Sequence, residues 1–156
     1  MVDISNDAAF REALLKLEPA DARIVGAKFV ESVAPLADDQ RLRRIVDVAS
    51  SSEATEEELE VSRKLATSIM VDTYTRCGAD GDWNEQAGYF VARAAAACLA
   101  PLEKGKPGGP AWQAAMSSRM ARTSAAINAG DGAESESGKQ YHILSDYLET
   151  RERETS

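Results

Sequence analysis

The sequence predicts an all-α fold, an irregular bundle of about six or seven helices with no sheet. Apolar residues recur at the three- and four-residue spacing of an α-helix along almost the whole chain. No segment of useful length shows the alternation of apolar and polar residues that a half-buried strand requires. Alanine is abundant and aromatic residues make up only 6% of the 156 residues, so the helices are expected to approach one another closely.

Three helices are predicted in the first third of the chain, each between a capping residue and a helix breaker. The first follows Ser5 or Asn6, and Pro19 both ends it and begins the second. The second extends to about Ala34, and the third follows Asp38 or Asp39. Their expected apolar stripes are Phe10, Ala13, Leu14 and Leu17; Val25, Phe29 and Val33; and Leu42, Ile45, Val46 and Ala49.

Four longer helices are predicted in the rest of the chain. The fourth begins at a capping box, Thr55 to Glu58, and the fifth extends from about Trp83 to Ala100. The sixth spans residues 111–129 and the seventh about 139–152. Loops rich in glycine, at about 102–110 and 130–138, separate the last three helices, and residues 1–156 are expected to form a single domain. The expected buried stripes are Leu59, Ala66, Ile69, Met70 and Thr73; Trp112, Met116, Thr123 and Ile127; and Tyr141, Leu144 and Leu148.

The charge of the chain restricts its class of partner. The formal net charge is −8 and the pI is about 4.7, which disfavours direct binding to nucleic acid or to an anionic membrane. A protein with a basic surface is the favoured partner, although acidity also serves solubility. The oligomeric state is open, and a dimer is compatible with the sequence.

The compartment predicted from the sequence is the cytoplasm. The first residues lack the basic and apolar regions of a secretory signal, and no apolar stretch is long enough to span a bilayer. The two cysteines, Cys77 and Cys98, form no Cys-x-x-Cys motif and are expected to be reduced. A disulfide between them is the open alternative.

The stretch CGADGDWNE, residues 77–85, is the most conspicuous candidate for a metal site. Asp80, Asp82 and Asn84 alternate as the first ligands of a calcium loop do. An EF-hand loop starting at Asp80 needs glycine at its sixth position and a carboxylate at its twelfth, where this chain has Glu85 and a valine. A capping box formed by Asp82 and Glu85 explains the same residues. We therefore expect a turn, with no metal or other cofactor.

Other polar clusters have simple structural explanations. His142 and Asp146, four residues apart on the last helix, are expected to form a surface pair. The basic cluster Arg41, Arg43 and Arg44 follows two aspartates, so local pairing is expected rather than phosphate binding. The chain contains no recognisable catalytic or phosphate-binding motif. We expect a protein that is not an enzyme and has no catalytic residues.

The acidic run at the start of the fourth helix is the candidate partner-binding site. Glu58 belongs to the capping box, and the helix macrodipole stabilises acidic residues in a first turn. Capping accounts for two or three of the five glutamates. The candidate partner-binding residues are Glu53, Glu56, Glu57 and Glu60, with a purely structural role as the alternative.

A buried ion pair is expected between Asp72 and Arg93. Arg93 stands in YFVARAAAACLA, a helix that is apolar on nearly all sides. A buried guanidinium requires a partner, and Asp72 lies in the apolar half of the preceding helix. This pair is predicted to fix the register of the two helices.

Two segments of the chain resemble a known class of bacterial proteins. These segments are FVESVAPLADDQRLRRIVDVASSSEATEEELEVSRKLA and KQYHILSDYLE. Both are similar to segments of Ala-rich helical proteins regarded as immunity proteins of polymorphic-toxin systems. Together with the Ala-rich helices that follow the first segment, the resemblance covers about half of the chain, and this chain has fewer histidines than those proteins have. It implies an all-helical acidic binding protein and supplies no catalytic residues.

The sequence therefore favours a binding protein that inhibits or regulates a protein partner by occluding it. An immunity protein and a nucleic-acid mimic are the two forms considered, because glutamates spaced along a helix can imitate phosphates. One alternative is an accessory or oligomer-building subunit of an enzyme complex, which a large apolar surface stripe would favour. A second is a small-molecule binder or an enzyme without a recognisable motif, which requires a concave polar pocket.

Overall fold

The predicted all-α fold is confirmed by the structure, a computed structural model that describes residues 4–37, 39–76, 83–100, 109–129 and 136–155. Within these residues the chain forms seven α-helices, a short 3-10 helix and no strand. The α-helices are α1 (Asp7–Leu15), α2 (Pro19–Val33), α3 (Gln40–Ala49), α4 (Glu56–Arg76), α5 (Trp83–Leu99), α6 (Gly109–Ala129) and α7 (Glu136–Thr155). None of the described helices is long and apolar enough to cross a membrane.

Local capping determines where three of the helices begin. The Asn6 side chain accepts a hydrogen bond from the amide of Ala9 at 2.8 Å, and an Asp39 carboxylate oxygen accepts one from the amide of Arg41 at 2.9 Å. Thr55 and Glu58 form the predicted capping box at the start of α4. These contacts satisfy amide groups that have no partner within the helix. The three predicted caps are confirmed.

The described core consists of two apolar clusters, and both include residues of α2 and α6. One lies among α2, α3, α4, α5 and α6 and includes Val30, Ile45 and Ile69, which are fully or almost fully buried. The other joins α1, α2, α6 and α7, where the Phe10 and Phe29 rings pack with their centroids 5.6 Å apart. The apolar stripes predicted for the first three helices contribute to both clusters, and all of their residues are buried except Ala13 and Leu17, which are partly buried. Burial of these stripes is the main stabilising contribution that the sequence pattern predicts.

The interface of α5 and α6, the most extensive between helices, is built from small residues. Ala94, Ala95 and Cys98 of α5 are buried, as are Ala114 and Ala121 of α6. The stripe predicted for α6 is wrong at Thr123, which is exposed, while Trp112 and Met116 are only partly buried. The Ile127 side chain lies outside the described side chains. Alanines and serines face the core because two helices at close approach leave no room for larger side chains.

The first residues of α6 and α7 differ from the predicted loop boundaries. Helix α6 begins at Gly109, two residues before the predicted start. Gly109 has a φ of +68°, which glycine adopts with little strain. Helix α7 begins at Glu136, three residues before the predicted start. Its first turn is held by tertiary hydrogen bonds that the local sequence does not reveal.

Several sequence predictions lie outside the described residues. They concern the calcium-like stretch at 77–82, the capping box of Asp82 and Glu85, the thiol of Cys77, and most of the predicted loops at 102–110 and 130–138.

Candidate partner-binding surface

The capping box at the start of α4 uses Glu58 for a structural purpose. The Glu58 carboxylate accepts a hydrogen bond from the Thr55 amide at 3.0 Å, and the Thr55 hydroxyl accepts one from the Glu58 amide at 3.1 Å. The backbone contact to Thr55, followed by the contact to its hydroxyl, holds the pKa of Glu58 below its usual value. Glu58 is therefore ionised and engaged with its own helix.

The neighbouring glutamates extend into solvent. Glu53 in the preceding turn and Glu56 and Glu57 in the first turn of α4 are all exposed. We refer to these three residues as the acidic end of α4. The fourth predicted partner-binding residue, Glu60, is partly buried and forms a salt bridge with Arg63. Three of the four predicted side chains thus present negative charge at one surface, and the charge of the fourth is balanced within α4.

A groove of about 390 Å³ lies beside the acidic end, among α2, α4, α5 and the start of α6. Glu56 and Glu60 line it together with Arg23, Arg63 and Cys98. Arg23 donates hydrogen bonds to two carbonyl oxygens at and just beyond the end of α3, at 3.0 and 2.6 Å. It therefore caps a helix whose C-terminal carbonyls carry partial negative charge.

Cys98 is a free, buried thiol, so the alternative of a disulfide with Cys77 is not realised. Burial raises the pKa of Cys98 to about 12. A thiol with this pKa is protonated at neutral pH and is not a nucleophile, because the thiolate is the reactive form. Cys98 is consequently not an activated cysteine.

The predicted buried pair of Asp72 and Arg93 is wrong. The Asp72 side chain is 59% exposed and lies 3.9 Å from the guanidinium of Arg41 on α3. Arg93 is exposed on α5. Alanine is compatible with both buried and exposed helix faces, so the alanines around Arg93 do not imply that this helix is buried on all sides.

Two other charged clusters have the surface roles predicted for them. His142 Nε2 and an Asp146 carboxylate oxygen lie 3.4 Å apart, and the two side chains are 78% and 65% exposed. Arg41 makes a two-point contact with Asp39 at 2.8 and 3.1 Å. The Asp39 contact raises the pKa of Arg41 further. The predictions of a surface histidine pair and of local pairing at Arg41 are both confirmed.

A second groove, of about 650 Å³, lies between α2 and α7. Lys28, Glu31 and Asp146 contribute its charged groups, and Tyr147 lines it as well. The Tyr147 hydroxyl donates a hydrogen bond to Asp21 at 2.5 Å. Burial and this bond raise the pKa of Tyr147 to about 12. The Tyr147 hydroxyl is therefore neutral and fixed in position.

A polar network that the sequence analysis missed holds α1 and α7 against α6. Arg119 of α6 donates two hydrogen bonds to the Asp7 carboxylate at 2.8 and 3.0 Å and a third to Gln140 at 2.8 Å. Gln140 is fully buried and donates to the carbonyl of Ala115 at 2.9 Å. The Tyr141 hydroxyl also donates to Asp7, at 2.7 Å. These partners are far apart in sequence, so no local pattern indicates the network.

The network makes stability depend on pH through Asp7. Hydrogen bonds from Arg119, followed by that from Tyr141, hold the pKa of Asp7 below its usual value. A carboxyl group whose pKa is lower in the folded state stabilises the folded protein at pH values above its unfolded-state pKa of about 3.9. This stabilisation is lost as the pH falls through the pKa of the folded state. The Asp7 side chain is half exposed, so solvent screening limits the contribution to about 0.5–1 kcal/mol.

We therefore expect Asp7→Asn to lower the free energy of unfolding by about 0.5–1 kcal/mol at neutral pH. The deficit relative to the unmodified protein should shrink from about pH 5 to about pH 2. Urea unfolding at a series of pH values measures it, with Asp47→Asn, at an exposed site on α3, as the control. A deficit that stays constant over this range would contradict the assignment.

The outward face of α4 carries apolar side chains that the sequence analysis did not single out. Val61, Val71 and Tyr74 are 61%, 56% and 69% exposed. The Tyr74 ring packs on Tyr89 of α5 with centroids 5.8 Å apart, and Tyr89 packs on Phe90 at 5.2 Å. The sequence does contain an indication of this exposed apolar surface. Apolar residues occur on all sides of α4, whereas a single buried stripe requires them on one side only.

No described group of three or more His, Cys, Asp or Glu side chains is arranged to hold a metal ion. Comparison of the chain with protein-family models, with curated proteins and with solved structures found no match.

Proposed function

We propose that this chain is a binding protein, without enzymatic activity of its own, that inhibits or regulates a protein partner by covering a basic surface of that partner. The observation that carries the proposal is the acidic end of α4, where Glu53, Glu56 and Glu57 are exposed together. The capping of α4 is already provided by Thr55 and Glu58. On a chain of net charge −8, these exposed charges accelerate encounter with a basic protein.

The form of inhibition proposed is steric occlusion in the cytoplasm. The resemblance to immunity proteins of polymorphic-toxin systems supports it, and the partner would then be a toxin. An enzyme that normally holds nucleic acid is the other target considered, because carboxylates along a helix can occupy the positions of phosphates. A nucleic-acid-binding enzyme presents lysine and arginine at the surface that the inhibitor would cover.

The combined change of Glu53, Glu56 and Glu57 to glutamine is expected to weaken partner binding about tenfold. Each exposed ion pair contributes about 0.2–1 kcal/mol, and a tenfold change corresponds to about 1.4 kcal/mol. Most of the loss should appear in the association rate constant, because steering acts before contact. Surface plasmon resonance with the protein captured from a lysate of the native cells measures both rate constants.

The matched control changes Glu12, Glu31 and Glu154 to glutamine, which alters the net charge equally on α1, α2 and α7. These side chains are exposed and distant in sequence from α4. The control is expected to bind within about twofold of the unmodified protein, since exposed charges far from an interface are screened by salt. If both triple variants weakened partner binding equally, the net charge of the protein rather than the acidic end of α4 would determine binding, and the proposal would fail.

The second candidate function is that of an accessory subunit in an enzyme complex. The exposed apolar residues Val61, Val71 and Tyr74 on α4 favour it, because apolar surface is typical of lasting subunit contacts. Assay of the captured partner separates the two functions. An inhibitor abolishes the partner's activity when the complex forms, whereas an accessory subunit maintains or raises it.

A further inference from the structure

The outward face of α4 is acidic at its N-terminal end and apolar near its C-terminal end. Residues 57, 61, 64, 68, 71 and 75 recur at three- and four-residue spacing and therefore lie on one side of the helix. This side is opposite to the buried Ala66, Ile69 and Thr73. It begins at the acidic end and finishes at Val71 and the adjacent Tyr74, about 25 Å away at 1.5 Å per residue.

The far end of this face is an aromatic patch, which we define as Val71, Tyr74, Tyr89 and Phe90. Val71 and Tyr74 are more than half exposed, and Tyr89 and Phe90 are partly exposed. The Tyr74 ring packs on Tyr89, and the Tyr89 ring packs on Phe90. The patch therefore spans α4 and α5. Rigid aromatic side chains supply large contact areas at little entropic cost and often dominate binding energy at interfaces.

Two charged side chains border this patch. Asp72 lies on the α3 side of α4, where it approaches Arg41 at 3.9 Å. Arg93 is exposed one turn beyond Tyr89 on α5. An apolar centre with a charged rim is the usual arrangement at a protein interface.

We propose, building on the proposed function, that the partner segment lying along α4 is an amphipathic helix that is basic at one end and apolar at the other. Its lysines and arginines face the acidic end, and its apolar side chains cover the aromatic patch. Charge complementarity fixes the direction of the segment, and the patch provides most of the affinity.

A second copy of this chain fits the same face poorly. In a two-fold antiparallel contact, Glu56 and Glu57 of one copy would be desolvated against Tyr74 of the other without a partner charge. A parallel contact would place the two acidic ends against each other. Both arrangements bring together chains of net charge −8, so the complementary basic segment is the better occupant.

The test uses a synthetic helical peptide of about 20 residues, long enough to extend about 30 Å along α4. One half carries lysine and arginine, and the other half carries leucine and tryptophan at three- and four-residue spacing. A scrambled peptide of the same composition has no apolar stripe. Fluorescence anisotropy gives the dissociation constant of each peptide at low and high salt.

Three variants are compared with the unmodified protein. Val71→Ser/Tyr74→Ser alters the aromatic patch, and the glutamine triple variant alters the acidic end. Leu15→Ser/Met120→Ser is the matched control, because these side chains are 60% and 46% exposed on α1 and α6. Circular dichroism establishes that each variant retains its helix content.

The expected result is at least a tenfold loss of affinity in Val71→Ser/Tyr74→Ser, with the salt dependence retained. The glutamine triple variant should bind more weakly and lose most of its salt dependence. The control should bind within about twofold, because single exposed apolar residues outside an interface contribute little.

Four outcomes would overturn the inference. If only the glutamine triple variant binds weakly, the aromatic patch is not involved and the proposed function alone survives. If only the patch variant binds weakly, the acidic end does not contribute to binding. This result would contradict both the proposed function and the direction assigned to the bound segment. Equal affinity for the scrambled peptide would exclude a helical segment as the ligand. A dimer of the unmodified protein that dissociates in Val71→Ser/Tyr74→Ser would make the occupant a second copy.

Discussion

Replacement of Glu136 with alanine is expected to lower the free energy of unfolding by about 2–3 kcal/mol. The Glu136 carboxylate accepts hydrogen bonds from the Ser32 hydroxyl at 2.7 Å and from Arg122 Nε at 2.9 Å. The residue is only 4% exposed, and its contacts attach the first turn of α7 to α2 and α6. Without the carboxylate, the partly buried Arg122 guanidinium loses the charge that balances it.

Urea unfolding monitored by circular dichroism measures this loss, and Glu154→Ala serves as the control. Glu154 lies on the same helix with a side chain 61% exposed, so its removal should change stability by less than about 0.5 kcal/mol. A double-mutant cycle with Arg122→Ala should give a coupling energy of about 1–2 kcal/mol. Equal effects of the two glutamate replacements would contradict the role assigned to Glu136.

Replacement of Gly26 with alanine is expected to destabilise the protein by about 2 kcal/mol, because an added methyl group overpacks a full core. A Cβ at Gly26 would lie 2.9 Å from the Cβ of Cys98 and 3.6 Å from that of Ala114. Helices α2, α5 and α6 meet at this point, where α5 contributes Cys98 and α6 contributes Ala114. The backbone of α2 or α5 must therefore move to accommodate the methyl group.

The buried Gly88 on α5 provides the opposite expectation from the same chemical change. Among the described residues, a Cβ there would meet Ala37 alone, at 3.9 Å, which is ordinary van der Waals contact. Gly88→Ala should therefore be neutral or should stabilise by up to about 1 kcal/mol, since alanine favours the helix over glycine. Thermal unfolding of the two variants measures the contrast, and a Gly26→Ala variant as stable as Gly88→Ala would exclude a tight helix crossing at Gly26.

Features that depend on neighbouring residues could be predicted from the sequence. Asn6, Asp39 and the pair Thr55 and Glu58 act on amide groups within three residues, so their capping roles are visible in a short window. The apolar stripe that includes Leu42 and Ile45 follows from helical periodicity in the same way. Helix caps and apolar stripes can both be predicted because each depends only on residues within or next to a single helix.

Features that depend on tertiary contacts could not be predicted. Asp7 and Arg119 are 112 residues apart, and Ser32 and Glu136 are 104 residues apart. The error at Arg93 has a related cause, because an alanine-rich helix has no distinct apolar face from which its orientation can be read. The candidate site contains a feature of each kind. The glutamates of α4 lie close together in the sequence and could be predicted. The contact of Tyr74 with Tyr89 depends on the packing of α4 on α5 and could not.

The acidic end of α4 is proposed to bind a basic protein. The most direct test is capture of the tagged protein's partners from a lysate of its native cells at low and at high salt, with identification by mass spectrometry. We expect one basic protein in stoichiometric amount at low salt and a clearly reduced amount at high salt, where exposed charges are screened beyond about 3 Å at ~1 M ionic strength. Recovery of the tagged protein alone at both salt concentrations, or of a partner whose binding is independent of salt, would contradict the claim.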